Sequence, residues 1–155
     1  MDKKPIKRNE HIVKLSRDHH ASLMFCWKLR QGAKHKVDLA RMANYVRYFW
    51  QEHMQPHFQE EEEILFAPLK DDLVQRAIDE HQIIKTAINH LEDQNAIGDD
   101  YLKLADLVDG HVRYEERTLF PHLEVLLTDD QLENIGQQLP DYCPKDNYED
   151  DFWVA

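Results

Sequence analysis

The sequence predicts an all-α protein: an up-down-up-down antiparallel four-helix bundle with a short C-terminal helix and tail. Three observations lead there. Only 4 of the 155 residues are Gly and 6 are Pro, so long stretches carry no helix breaker. Within those stretches apolar residues recur with the 3.6-residue helical period in four separate segments. No segment alternates apolar and polar residues as a half-buried strand requires. Four amphipathic segments joined by short connections are the pattern of a bundle.

The first helix is expected from about Asn9 to Gln31, with Ile12, Leu15, Leu23, Cys26 and Trp27 on one side and Gly32 as its C-terminal stop. The second runs from about Val37 to Phe66. Its stripe is Leu39, Met42, Ala43, Val46, Phe49 and Trp50, then His53, His57, Glu61, Ile64 and Leu65. Pro56 lies inside it and is expected to kink it. The third runs from about Asp72 to Asn95, with Val74, Ala77, Ile78, His81, Ile84, Ile88 and Leu91 aligned. The fourth starts after Gly98, with Asp99 as N-cap, and aligns Leu104, Ala105, Val108, His111, Val112, Glu115, Leu119, His122 and Leu126. Thr128 and Gln131 form the capping-box pattern of a short fifth helix. From Pro140 the chain is an acidic, mixed tail in which Phe152 and Trp153 are suited to dock on the body. The bundle domain is drawn over residues 9–127 and the C-terminal piece over 128–155, with no internal repeat strong enough to split the chain.

Lys plus Arg number 19 and Asp plus Glu 30, a formal charge of −11, which argues against nucleic acid and anionic membrane as partners. Apolar runs are too short to span a bilayer. The basic stretch Met1 to Arg8, with Lys3, Lys4 and Lys7, is followed by no apolar core of a signal peptide. Cys26 and Cys143 are far apart and suggest no disulfide framework, so a cytoplasmic location is expected. The unusual feature is ten His, in no tag-like run.

Several of these His occupy places the stripes reserve for apolar residues. His53, His57 and Glu61 are spaced four apart and stack along one helix face, and His111 and Glu115 repeat the pair on the fourth helix. His81 stands alone on the third stripe. The first helix offers His19 and His20, with His19 nearer the centre of its face. A lone inward His is usually a satisfied core residue, but buried ionisable groups are costly unless paired or metal-bound. A set on four helices, with carboxylates one turn beyond two of the His, suits iron, zinc or manganese. The candidate ligands are His19, His53, His57, Glu61, His81, His111 and Glu115, with His20 and Glu60 as alternatives to His19 and Glu61. His53 is either a ligand or a partner that orients one. His122 is assigned a structural role, His11, His35 and His90 the surface, the rest of the Glu60–Glu63 run a solvated face, and Trp27, Trp50 and the Phe residues the core. Gly110, beside His111, costs helix stability and is a place where a neighbouring helix could approach.

Heights along the helices test the set. His57 and His81 each lie about 12 residues from a turn near Leu69 and should be level. His81 and His111 lie about 16 and 14 residues from a turn near Ile97, a mismatch of about 3 Å. His19 and His57 lie about 15 and 23 residues from a turn near Lys34, a mismatch of about 12 Å that a longer loop or bending near Pro56 would have to absorb.

The pairs His57–Glu61 and His111–Glu115, both H-x-x-x-E, resemble the two metal-binding motifs of hemerythrin-like (HHE) domains. The surrounding words fit as well: H-F-Q-E-E-E-E-I-L-F-A-P-L at 57–69, D-E-H at 79–81 and D-H-H at 18–20. The resemblance covers about residues 9–127. It implies a four-helix bundle holding two iron ions in a non-haem di-iron centre with an oxo or hydroxo bridge. By resemblance Glu61 and Glu115 would be bridging carboxylates and His57, His81, His111 and His19 (or His20) terminal ligands. The chain departs from the oxygen carriers of the family at two places. His81 has Ala77 and Lys85, not a second His, four residues away, and the last motif is H-x-x-x-E where the carriers have H-x-x-x-x-D. Both departures resemble the bacterial and regulatory members, which are associated with responses to oxygen or nitric oxide, iron sensing and repair of iron centres. Two six-coordinate irons offer about twelve positions, so five His would leave one open and four would leave two.

Three functions follow as expectations. The first is a di-iron protein that binds or senses a small diatomic ligand such as O2 or NO, or serves iron and redox homeostasis. The second is a redox enzyme on the same centre, peroxidase-like or active in iron-centre repair. The third is a metal-free helical interaction module. Ferritin-like oxidase chemistry is disfavoured because no His has a Glu three residues before it, and zinc-protease chemistry because no H-E-x-x-H occurs.

Overall fold

The first helix, α1 (Val13–Lys34), begins after a turn at residues 10–12 and runs past the expected stop. Gly32 is therefore inside the helix, and Lys36 (φ 54°) takes the left-handed position instead. Val37 N–H donates to Gly32 O (3.0 Å) and Lys36 N–H to Ala33 O (3.2 Å), a Schellman closure with Lys36 in the place glycine usually fills. Gly32 serves close approach: a Cβ there would lie 2.9 Å from Met42 Cε and from the Phe152 ring. The buried face of α1 is Leu15, His19, Ser22, Phe25, Cys26 and Leu29. Leu23 and Trp27, expected inside, are 39% and 46% exposed, because one residue's step of about 100° carries them off the face that holds Ser22 and Cys26.

The structure, a computed structural model, describes residues 7–93 and 95–154; Lys3 and Lys4 of the basic stretch lie outside them. Among the described residues the chain is all-helical, with five helices, no strand, and a packing consistent with a helical bundle. Helix α2 (39–65) is continuous but changes winding. It comprises α-helical Leu39–Phe49, a π turn at Trp50–Met54, α-helical Gln55–Glu60 and a second π turn at Glu61–Leu65. Asp38 caps it by accepting from Ala40 N–H (2.9 Å). Helix α3 (Asp72–His90) ends before the expected Asn95 and is capped by Asp71, which accepts from Val74 N–H (3.0 Å). Helix α4 (98–126) comprises Gly98–Tyr114, a π turn at Glu115–Leu119, and Phe120–Leu126. The expected cap Asp99 lies inside it; Asp100 instead reaches back to accept from Ile97 N–H (2.8 Å). Helix α5 (Asp129–Gln138) has the capping box read from the sequence, with Thr128 and Gln131 bonded reciprocally (2.9 and 3.1 Å).

The π turns decide which residues face inward. Each closes with a bond spanning five residues: Gln55 N–H to Trp50 O, Phe66 N–H to Glu61 O and Phe120 N–H to Glu115 O. One extra residue per turn slips the downstream face by one position. On α4 the buried residues are Leu119, Phe120, Leu123 and Leu127; His122 is only half-buried and Leu126 is 52% exposed, where the sequence placed both inside. On α2 the slip buries Met54 in place of His53.

Two apolar clusters flank a polar layer. Each long helix contributes to both, on either side of its His or Glu: Leu15 and Phe25 around His19, Phe58 and Leu65 around Glu61, Ala77 and Ile84 around His81, Val112 and Leu119 around Glu115. Phe152 of the tail is 1% exposed in the first cluster, and Leu132 and Ile135 of α5 join the second. The tail is pinned at Asp146, which accepts from Tyr45 O–H (2.5 Å) and Lys28 Nζ (3.0 Å). Trp153 sits against the Lys28 ammonium, 4.0 Å from ring centre.

Candidate metal centre

Four His and two Glu from the four long helices meet in the polar layer. His19, His57, His81 and His111 are 1–4% exposed, and Glu61 and Glu115 are fully buried. Each Nε2 points inward to a carboxylate: His57 and His81 to Glu61 Oε1 (3.2 and 3.1 Å), His19 and His111 to Glu115 Oε1 (3.0 and 3.3 Å). These residues form two overlapping groups, His19–His57–Glu61–Glu115 and Glu61–His81–His111–Glu115, each with one donor atom per residue within 4.8 Å of the others.

The outer nitrogens are equally ordered. His57 Nδ1 faces Asp18 Oδ2 (2.9 Å), His81 Nδ1 faces Glu62 Oε2 (2.7 Å), His111 Nδ1 faces Glu80 Oε1 (2.8 Å) and His19 Nδ1 faces Glu116 Oε1 (2.7 Å). A carboxylate only accepts, so each Nδ1 donates and its Nε2 is left to face the centre. The four bonds close a ring: α1 supplies the carboxylate for the His of α2, α2 for α3, α3 for α4 and α4 for α1. Sequence reasoning missed these four acids, treating Glu62 as solvated and leaving Asp18, Glu80 and Glu116 without a role. The legible signal is that each adjoins a candidate ligand, as Asp18-His19, Glu61-Glu62, Glu80-His81 and Glu115-Glu116.

The centre leaves polar atoms unsatisfied. His57 Nε2, His111 Nε2, Glu61 Oε2 and Glu115 Oε2 are buried and without a hydrogen-bond partner. Such atoms are costly to bury. All four face the centre, and two imidazole nitrogens with two carboxylate oxygens are a donor set for a mid-row divalent or trivalent cation. The residues therefore fit a metal.

Charges inside the layer perturb each other strongly. Burial, with the Glu115 charge beside it, pushes the Glu61 carboxyl up to about 8. Burial also acts on Glu115, but His111, the hydrogen bond to Glu61 and His19 outweigh it and hold the Glu115 carboxyl well below its ordinary range. The two Glu are thus driven in opposite directions. Burial lowers His111, yet Glu115 and Glu80 push it up to about 10. Burial likewise opposes the rise of His19, which Glu115 and Glu116 drive, and of His81, which Glu61 and Glu62 drive.

The remaining candidates lie elsewhere. His53 joins neither group: it is half-buried, stacked on Phe49 (4.8 Å) with Tyr48 Oη at 3.5 Å, because the π turn at Trp50–Met54 takes it off the inward face. Burial holds its imidazole below its ordinary value. It lines a cavity of about 50 Å³ with His57, Asp18 and Cys143. His20 is exposed, and Glu60 pairs with Lys14. His122 Nε2 bonds Asp71 Oδ2 (2.6 Å), bracing the acid that caps α3. Gly110 has nothing within 4 Å of a Cβ, so no helix approaches there.

The height mismatch between His19 and His57 disappears, with ring centroids 5.0 Å apart. The first connection is centred near residues 36 and 37 rather than Lys34, which leaves about three residues, roughly 4.5 Å at 1.5 Å each. The wide turn at Trp50–Met54 takes up one more.

A family model described as hemerythrin HHE cation binding domain matches residues 11–123. No curated protein and no solved structure matches the chain.

Proposed function

The chain belongs to the hemerythrin HHE cation-binding domain family, and from that premise we propose that it is a non-haem di-iron protein that binds or senses a small diatomic ligand such as O2 or NO. The single observation that carries the reading is the set of orphaned inward atoms on His57, His111, Glu61 and Glu115. In this reading His19 and His57 would hold one ion and His81 and His111 the other, with Glu61 and Glu115, common to both groups, available to each. When bound, two irons supply electrons and open coordination positions for a small ligand.

The chain's own residues do the rest. The four outer carboxylates fix each imidazole with Nε2 inward. Phe58, stacked on His81 at 3.8 Å, and Phe120, stacked on His19 at 5.5 Å, exclude water from the layer. The cavity beside His57 is about 50 Å³. A site for one water needs roughly 10–15 Å³, so this space has room for a molecule of diatomic size. We read the fold as an up-down-up-down bundle over 9–127, closed by 128–155. In support, α1 and α3 pass from the second apolar cluster to the first, while α2 and α4 pass the other way.

Metal quantitation with anaerobic absorption spectra before and after O2 and NO tests the reading. We expect about two irons per chain, a spectrum that changes on adding either gas, and a substantially lower metal content in His57→Ala. Iron-supplied protein holding no metal above trace would overturn it. The second reading, a peroxidase-like or iron-centre-repair redox enzyme, gains from the placement of His53 outside both groups. Four His leave more of the coordination sphere open than five. Turnover of peroxide that is lost in Glu61→Ala would favour it.

A further inference from the structure

The geometry points to two inequivalent metal positions: a locked one held by His19 and His57, and an exchangeable one held by His81 and His111 that is reached past Glu62. The inference rests on the two-metal reading above and assigns Glu62 as a positioning residue and gate.

The two halves have the same donors but different support. In the His19–His57 half, Asp18 is backed by Lys14 Nζ at 2.9 Å, and Glu116 by Arg8 Nη2 at 2.9 Å. Both cations are themselves enclosed, with side chains 11% and 4% exposed. Arg8 is further tied to Glu124 (2.5 Å) and lies over the Phe120 ring that stacks on His19. Ion pairs so enclosed are screened little by solvent.

In the other half, Glu80 is backed only by Arg76, whose side chain is 60% exposed, a surface pair of small worth. Glu62 has no Lys or Arg partner among the described residues; its one ion-pair contact is His81. Its side chain is 33% exposed, the highest of the four outer acids.

Access differs in the same sense. A cleft of about 300 Å³ between α2 and α3 is lined by Glu62 and His81 together with Gln59 and Lys85. The His57 side has a cavity of about 50 Å³, lined in part by Cys143 and Pro144 of the tail. Rotation of Glu62 into the cleft frees His81 Nδ1 and loosens one ligand without breaking a pair to Lys or Arg. No equivalent motion exists at Asp18, whose oxygen is shared by Lys14 and His57.

Chelator-driven release of Fe(II) from the loaded, unmodified chain under anaerobic conditions is the test. We expect two phases of equal amplitude, one iron each. Glu62→Gln should speed the fast phase about 10–100-fold and leave the slow one unchanged. Asp18→Asn should do the reverse. Thermal melts of the metal-free variants that match the parent exclude a merely structural effect. Release of both irons in one phase, or acceleration of the slow phase by Glu62→Gln, would overturn the inequivalence while leaving the two-metal reading standing. A chain that loads no iron would overturn that reading and this one together.

Discussion

Glu61 and Glu115 are chemically alike and equally buried, yet their neighbours drive them apart. With its carboxyl pushed up to about 8, Glu61 is protonated at neutral pH in the metal-free chain. Gln is close to that neutral form in shape and hydrogen bonding. Glu61→Gln should therefore change metal-free stability at pH 7 by less than about 1 kcal/mol, while metal content falls at least about tenfold. A thermal melt and elemental analysis on one preparation separate the two effects. The pH dependence follows from the same groups. His111 is raised to about 10 and Glu61 to about 8, so each stabilises the metal-free fold fully below its unfolded value, 6.5 and 4.5. That stability is lost as pH rises through the folded values. Metal-free protein should thus weaken from about pH 4.5, where Glu61 begins to act, toward 10, where His111 ends. Metal must displace those same protons, so loading should strengthen over that range and release protons into a weak buffer. Melts in chelator and loading titrations at several pH values check both signs.

At the scale of helices, the π turns are the decisive feature. Those at Trp50–Met54 and Glu115–Leu119 lie just before Pro56 and Pro121, where each proline ring would otherwise meet the carbonyl four residues back. Two turns also begin at the central Glu61 and Glu115. Periodicity read at a constant 3.6 residues cannot register an inserted residue, so the stripes misplace a few residues at or beyond a turn while His57, Glu61, Leu65 and Leu119 still fall inside. His53, His122 and Leu126 share that single cause. Two of the helical glycines, Gly32 and Gly110, make opposite predictions. Gly32→Ala pushes a methyl against Phe152, whose buried ring cannot retreat, and should cost about 1–3 kcal/mol. Gly110→Ala meets open space in a helix and should stabilise by about 0.5–1 kcal/mol. Denaturant melts of both variants check the pair.

At the scale of the whole molecule, the bundle is an apolar–polar–apolar sandwich stacked along its length. The tail enters the first apolar cluster through Phe152, and its Cys143 and Pro144 line the cavity beside His57. Phe152 and Asp146, away from the ligand atoms, hold it to α1 and α2. Phe152→Ala should cost about 3–5 kcal/mol, yet leave metal content unchanged below the melting transition. Equilibrium unfolding and metal analysis together check this. The thiols are also set by the fold. Burial pushes Cys26 up to about 12 and Cys143 up to about 11, so both should react slowly with an alkylating agent at pH 7 until the chain unfolds.

Sequence alone determined the all-helical class, the caps at Thr128 and Gln131, and the polar residues that stand where apolar ones belong. Each of these is written in local spacing: i to i+4 for His57–Glu61 and His111–Glu115, and three residues for the capping box. Only the tertiary structure decided which outer acid serves which imidazole, since Asp18 and His57, or Glu80 and His111, lie on different helices. Only it removed His53 from the ligand groups, because the helix widens at Trp50–Met54. Only it distinguished the two halves of the centre, since the backing by Arg8 and Lys14 and the open cleft at Glu62 depend on which surfaces meet. Local spacing fixes a residue's direction from its own helix; what it meets there is set by neighbours that the spacing does not contain.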